Sequence, residues 1–542
     1  MRLRLVLVSI LAAFATFTPG PGAACTNILV TKGATADGST MISYSADSHS
    51  LYGELPVTPA RRFPAGAQRD IIEWDTGKLL GRIPELSATY SVVGNINEHQ
   101  LAVGETTFTG REELKGPSGI LDYGSLMWIA LERARTAREA VRLIGELVAE
   151  HGYASTGESL SIADPNEVWL LEIIGKGEKQ KGAVWVAVRI PDGTISAHAN
   201  KSRIRRFPLH DPLNCAYAPD VISFARAKGF FSGRDEEFSF AAAYDPNEFE
   251  NLRFCEARVW SVFRRAAPSL GLAIDFARGD TKAPALPLSV RPDRKLAVAD
   301  VMALMRDHFE GTPLDMTQDV GAGPFACPYR WRPMTWTLDG KKYLHERAIS
   351  TQQTGFSFVT QARSSLPDPI GGVLWFGLDD TYSTVYTPIY CGIREAPRTF
   401  ATGVATLSRF SWDSAFWVFN WVANYAYSRY SDMIVDIQKV QRQLEGQFLA
   451  DQEGVEKEAL TLYAQSPERA REYLTRYSVS AGDGTTARWR RLGEELLVKY
   501  MDGNVKNEQG EPTHPSYPEA WYRRIVKERG EELRLPEEPK KP

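Results

Sequence analysis

The chain has 542 residues, 43% hydrophobic and 24% charged, which excludes a wholly disordered polymer and allows two or three structural units. Its formal net charge of −4 supplies no basic field for nucleic acid. The single membrane-like run, Leu5–Phe17, is too short to cross a bilayer, so no transmembrane segment is expected in the mature chain.

Residues 1–24 read as a signal peptide. Arg2 and Arg4 give a positive start, Leu5–Phe17 is apolar, and Gly22 and Ala24 are small residues at positions −3 and −1 of a cut. Cleavage after Ala24 makes Cys25 the first residue of an exported protein, periplasmic or extracellular. A thiol nucleophile and a free α-amine base then share one residue. The rival reading is a lipid-anchored cysteine, which would acylate that amine. Gly22 at −3 and a strand directly after Cys25 argue against it.

Thr26–Thr31 (TNILVT) and Ser39–Ser45 (STMISYS) read as a hairpin around Gly33 and Gly38. Tyr90–Ile96 and Leu101–Phe108 form another around Asn97–Gln100. Thr136-Ala137-Arg138-Glu139 is a capping box, after which Ala137, Ala140, Val141, Ile144, Leu147 and Val148 share one helical face. Strands follow at Ser161–Asp164 and Val168–Ile174 around Pro165-Asn166, and at Ala183–Ile190 and Thr194–Ala199 around Pro191-Asp192-Gly193. Further strands are expected at Ser357–Thr360, Gly372–Gly377 and Thr384–Ile389. From Asp413 the pattern is helical: Phe416–Phe448 reads as one long aromatic-rich helix, and Ser466-Pro467-Glu468 starts the next. The tail from Glu508, rich in charge and proline, is expected to be partly disordered. The whole pattern is α+β, with helices layered on antiparallel sheets.

Of the five cysteines, Cys215, Cys255, Cys327 and Cys391 remain beside Cys25; three disulfide pairings, or buried free thiols, are all compatible with the sequence. Eight histidines include no HExxH pair, and there is no CxxC spacing and no Walker loop, so neither a metal nor a nucleotide site is expected.

Several segments carry a specific resemblance. They are Cys25–Ile42 (CTNILVTKGATADGSTMI), Asn95–Thr106 (NINEHQLAVGET), Thr136–Val141, Gly157–Trp169 (GESLSIADPNEVW), His308–Asp315 (HFEGTPLD) and Leu374–Asp380 (LWFGLDD). The chain resembles the secreted cysteine dipeptidase A family of N-terminal nucleophile (Ntn) hydrolases, over most of its mature length. The resemblance implies a four-layer αββα sandwich over residues 25–410 with a helical C-terminal extension over 411–542. It implies hydrolysis of dipeptides or small peptides without a cofactor, and leaves the oligomeric state open. An acylase for non-peptide amides, and a catalytically inactive exported binding protein, are the alternatives.

Carried over residue by residue, the family's site implies Cys25 as nucleophile and Asp47 as the carboxylate that holds its amine. Asn97 is implied as an oxyanion or substrate-positioning residue, Asn200 as a second site asparagine, and Arg258 as the cation beside the thiol. Taken without the resemblance, Asp47 reads as a strand-end carboxylate, Asn97 as a turn residue, Asn200 as part of an N-x-S sequon, and Arg258 as one of several arginines on a helix. One departure stands out: Tyr44 occupies the position where relatives often carry an arginine, in an R-x-x-D pattern. Tyr44 is therefore expected to contact thiol or substrate, at the expense of a cation that would favour thiolate.

Overall fold

The computed structural model describes residues 25–116 and 119–536. The expected signal peptide, residues 1–24, lies outside the described residues.

Two large antiparallel sheets organise the chain. The first hairpin joins β1 (Thr26–Val30) to β2 (Met41–Asp47), with Thr26 opposite Ser45 and Asn27 opposite Tyr44. Gly38 lies between them at φ 73°, a left-handed conformation that glycine adopts without strain. A meander of β3 (Ala102–Phe108), β4 (Gly157–Ala163), β5 (Val168–Gly175) and β6 (Ala183–Arg189) forms the centre of an eight-stranded sheet. The other sheet has seven strands: Ser289–Val290, then β7 (Ile195–His198), β1, β2, β8 (Thr354–Gln361), β9 (Val373–Leu378) and β10 (Thr387–Tyr390). β1 is thus held on both sides, by β2 and by β7, where Asn27 lies opposite His198.

The two sheets meet through β1 and β2 on one side and β3 and β4 on the other. Helices α1 (Tyr123–Arg133) and α2 (Ala137–His151) cover the eight-stranded sheet, over a core that includes Val103, Leu160, Ile162 and Leu171. Thr136 caps the helix as expected, its Oγ1 accepting from Glu139 N at 3.2 Å, but the Glu139 carboxylate takes Arg135 N at 2.8 Å rather than closing the box on Thr136 N; all six apolar residues expected on one face of α2 are buried. Such burial contributes about 1.5–3 kcal/mol per large aliphatic side chain. On the far side, α3 (Ala257–Ala266) touches β7, and α4 (Val298–Met305) touches β2 and β8.

Towards the C-terminus come α5 (Ala415–Ala426), α6 (Tyr430–Gln465) and α7 (Pro467–Lys499), with Pro467 in the first turn as expected. The single helix read from Phe416 to Phe448 is in fact two. The main chain leaves helical geometry at Arg429 (φ −147°, ψ 58°), whose guanidinium bonds Asp432 Oδ2 at 2.5 Å and Gly503 O at 3.2 Å. These helices are tied to the seven-stranded sheet by buried pairs such as Arg363–Glu456 at 2.6 Å, and by Ser478 Oγ accepting from Tyr390 N at 3.3 Å.

The tail is more ordered than expected. Val505–Lys506 pairs with Pro512–Thr513, and α8 spans Glu519–Leu533. Cys215, Cys255, Cys327 and Cys391 are free thiols. No helix among the described residues is long and apolar enough to cross a membrane.

Candidate active site

Cys25 immediately precedes β1 and is 1% exposed. The β1–β2 register brings the start of β1 to the end of β2, so Cys25, Tyr44 and Asp47 gather at one end of the hairpin. The Cys25 thiol lies 3.9 Å from Tyr44 Oη and 3.5 Å from Glu105 Oε1, the latter delivered by β3. Tyr44 Oη donates to the same Glu105 oxygen at 2.5 Å, and its ring packs edge-on against Phe356 and Phe358, each at 5.6 Å. Burial, and then the carboxylates of Glu105 and Asp47, push the Cys25 thiol well above its ordinary pKa; hydrogen bonds from the Asp47 main chain and Tyr44 oppose that shift.

Asp47 is fully buried and heavily bonded. It accepts from Arg347 Nη2 at 2.7 Å, Thr354 Oγ1 at 2.6 Å and Ser45 Oγ at 3.0 Å. The cation that the sequence lacks at position 44 is therefore present from another quarter, since Arg347, just ahead of β8, pairs with this carboxylate. The pairing spans 300 residues of chain, which no local pattern reveals.

Arg258, near the start of α3, is also fully buried and directs its guanidinium at the same strand end. Nη1 donates to Cys25 O at 2.5 Å and Thr26 Oγ1 at 2.8 Å; Nη2 donates to Ala199 O at 3.1 Å and Asn200 Oδ1 at 2.9 Å; Nε donates to Phe254 O at 2.8 Å. Burial, then the nearby Arg347 charge, lower its pKa to about 10, so it stays protonated at neutral pH. Asn200, at φ 60°, also donates from Nδ2 to Thr107 O at 2.7 Å, joining the β7 end to β3. Arg258 thus contacts Cys25 directly, and Asn200 is linked to it through Arg258.

Asn97 does not join them. Its Nδ2 donates to Leu131 O at 2.7 Å and Ala134 O at 2.8 Å, and its Oδ1 accepts from His99 N and Leu101 N. Both amide hydrogens are spent on the C-terminal carbonyls of α1, so the oxyanion role is corrected to a turn and helix-end brace. Asn95, two residues earlier, lines a cavity of about 370 Å³ together with Leu51, Tyr52, Trp74, Trp128 and Phe356. Through Phe356 this cavity adjoins Tyr44, and its volume is that of a small-molecule site.

The sequence reading passed over two other features. Glu105 and Glu158 are 2% and 1% exposed, and the Oε2 atom of each has no ordinary hydrogen-bond partner. Burial pushes both carboxyls up, with the Glu105 charge adding to the shift at Glu158, and the two side chains are hydrogen-bonded to each other. The signal was a glutamate inside LAVGETTF, a segment otherwise suited to a buried strand. His198, also buried, contacts Thr106 Oγ1 and Ser161 Oγ at 2.7 Å each. Burial, then Arg203 and Arg258, lower its pKa to about 3, so it is a neutral bridge between the sheets.

The model of peptidase family C69 matches residues 24–64 and 54–443. The chain is 27% identical over 406 residues to a probable dipeptidase of Salmonella dublin, covering 70% of this chain and 84% of that one. It is 24% identical over 415 residues to dipeptidase A of Lactobacillus helveticus, covering 73% and 80%. With a probable dipeptidase B of Streptococcus pyogenes serotype M1, 23% identity extends over 528 residues, or 93% and 98% of the two chains.

Proposed function

The chain belongs to peptidase family C69, and on that premise we propose that it is an exported cysteine dipeptidase whose mature chain begins at Cys25. The observation that carries this reading is the convergence of Arg258, Asp47 and Tyr44 on one cysteine at the head of a strand, with Asn200 joined to it through Arg258. The names of the relatives support dipeptides as substrates. The facing sheets, with helices on both outer sides, are read as the αββα layering of an Ntn hydrolase over residues 25–410, with 411–542 as its helical extension.

Removal of residues 1–24 frees an α-amine with an ordinary pKa of about 8, suited to take the thiol proton near neutral pH. The sulfur attacks the scissile carbonyl carbon and a C–S bond forms. As the C–N bond breaks, the ammonium returns its proton to the leaving amine. Water, deprotonated by the same amine, then attacks the thioester and releases the acid and the thiol. Asp47, fixed by Arg347 and Thr354, orients the amine. Arg258 holds the Cys25 carbonyl, and its charge favours thiolate. Asn200, held by Arg258, is assigned to stabilise the oxyanion. The cavity beside Phe356 receives the peptide.

The test is turnover of a dipeptide panel by the processed wild-type enzyme and by Cys25→Ala. Loss of about 1,000-fold or more in the variant is expected of a missing nucleophile. Equal turnover by the two would remove Cys25 from the mechanism.

A further inference from the structure

We propose that Glu105, backed by Glu158, is the subsite that binds the α-ammonium of the substrate's N-terminal residue. This rests on the dipeptidase reading and assigns a specificity residue to it.

Covalent geometry carries the assignment. In a dipeptide the α-nitrogen is about 2.5 Å from the scissile carbonyl carbon, because only the Cα lies between them. That carbon must approach the attacking sulfur to about 3–3.5 Å. The ammonium is therefore confined to a small shell around Cys25 Sγ. Glu105 Oε1 already stands 3.5 Å from that sulfur. A carboxylate so placed is within charge-assisted hydrogen-bonding reach of an ammonium in the shell.

The other acids nearby are occupied. Asp47 is bound by Arg347, Thr354 and Ser45, and Glu132 at the cavity wall is paired with Arg69. Glu54, also on that wall, accepts from Gly403 N at 3.1 Å. Glu105 has Tyr44 Oη, the Cys25 thiol and Glu158 around it, and no lysine or arginine pairs with it among the described residues. A buried carboxylate without a cation is costly, and an arriving ammonium supplies the missing partner.

Glu158 makes the arrangement durable. Its Oε1 accepts from Thr107 Oγ1 at 2.8 Å, and its side chain is hydrogen-bonded to Glu105. Two carboxyls in contact share one proton between them, which leaves one negative charge on the pair beside the thiol. The charges facing that thiol are Glu105 and Asp47 against Arg258, with Arg347 paired to Asp47, Tyr44 beside the thiol, and Asp75, Tyr123 and Glu158 behind Glu105. An empty site therefore opposes thiolate through Glu105, and a bound ammonium relieves that opposition. A substrate without the ammonium loses both affinity and nucleophile activation.

The experiment compares free-amine dipeptides with their N-acetyl counterparts, using the processed enzyme, Glu105→Gln and Glu158→Gln. Wild type is expected to favour the free amine, and Glu105→Gln to lose about 100-fold in kcat/KM on free-amine dipeptides, as for loss of one member of a buried charge pair. Its preference for free-amine over N-acetyl dipeptides should collapse, and its Cys25 should react faster with iodoacetamide at neutral pH, which also reports a folded site. Glu158→Gln keeps an N–H donor towards Glu105 and should retain the preference. An unchanged preference in Glu105→Gln, with dipeptides still hydrolysed, would overturn the assignment alone. A wild-type enzyme that cleaves no dipeptide would overturn the dipeptidase reading and this assignment with it.

Discussion

Asp47→Asn should damage the protein chiefly by stranding Arg347. The two groups are 5% exposed or less at their side chains and 2.7 Å apart, with Thr354 Oγ1 and Ser45 Oγ completing the carboxylate's shell. Removing one partner of a buried ion pair leaves an uncompensated charge and costs about 3–5 kcal/mol. At roughly 2.1 cal/mol/K of unfolding entropy per residue over about 500 residues, 1 kcal/mol corresponds to about 1 °C, so Tm should fall by about 3–5 °C. Arg347→Gln should do the same by stranding the carboxylate. The double variant leaves no buried charge and should recover about 2–4 °C relative to the sum of the single losses. Differential scanning fluorimetry on the four proteins measures this, and dipeptide turnover should be low in both Asp47 variants because the amine is no longer oriented. Additive Tm losses would refute the claim that Arg347 neutralises Asp47, and with it the view that a distant arginine compensates for Tyr44.

Two further outcomes are expected. Arg258→Lys keeps the charge but not the planar fork that holds Cys25 O, Thr26 and Asn200 together, and dipeptide turnover should fall about 10- to 100-fold while the Cys25 terminus is still processed; near-wild-type kinetics would contradict the positioning role. Asp379 is buried at φ 65° with Asn420 Nδ2 donating to Oδ1 at 2.8 Å and Oδ2 unpartnered, and burial raises its pKa to about 8. The native state then binds a proton that the unfolded state lacks between its ordinary pKa of 3.8 and about 8, so stability falls as pH rises through that window, by up to about 1.4 kcal/mol per unit. Asp379→Asn tolerates the left-handed backbone and should flatten that fall in urea midpoints taken from pH 5 to 8; an unchanged slope would assign the titration elsewhere.

What the sequence made legible was local. Thr26–Thr31 and Ser39–Ser45 alternate and turn as a hairpin must, so a hairpin directly after Cys25 followed from the residues, while the family pattern singled out Tyr44 and Asp47. The Thr136 N-cap and apolar face of α2 were readable for the same reason. Arg258 and Asn200 were selected by the family pattern, since one arginine among Arg253, Arg264 and Arg265 carries no local mark. Asn97 misled because an asparagine in a tight turn and an asparagine at a site look alike in one dimension; hydrogen bonds to α1 decide between them. Arg347 and Glu105 reach the site through long-range packing, which leaves no periodicity to read. Likewise α8, beginning after Pro518 and carrying an Arg523–Glu519 pair one turn apart, was hidden in a tail whose charge and proline content suggested disorder.

The central claim is that Cys25 is both the N-terminus and the nucleophile. Its most direct test is peptide mapping by mass spectrometry of the processed enzyme after inactivation with an aminoacyl chloromethyl ketone. The account predicts a chain that begins at Cys25 with a free α-amine, and one label per molecule on the Cys25 sulfur, in proportion to the activity lost. A terminus elsewhere, an acylated or diacylglyceryl-modified Cys25, or a label on Cys215, Cys255, Cys327 or Cys391 would contradict it.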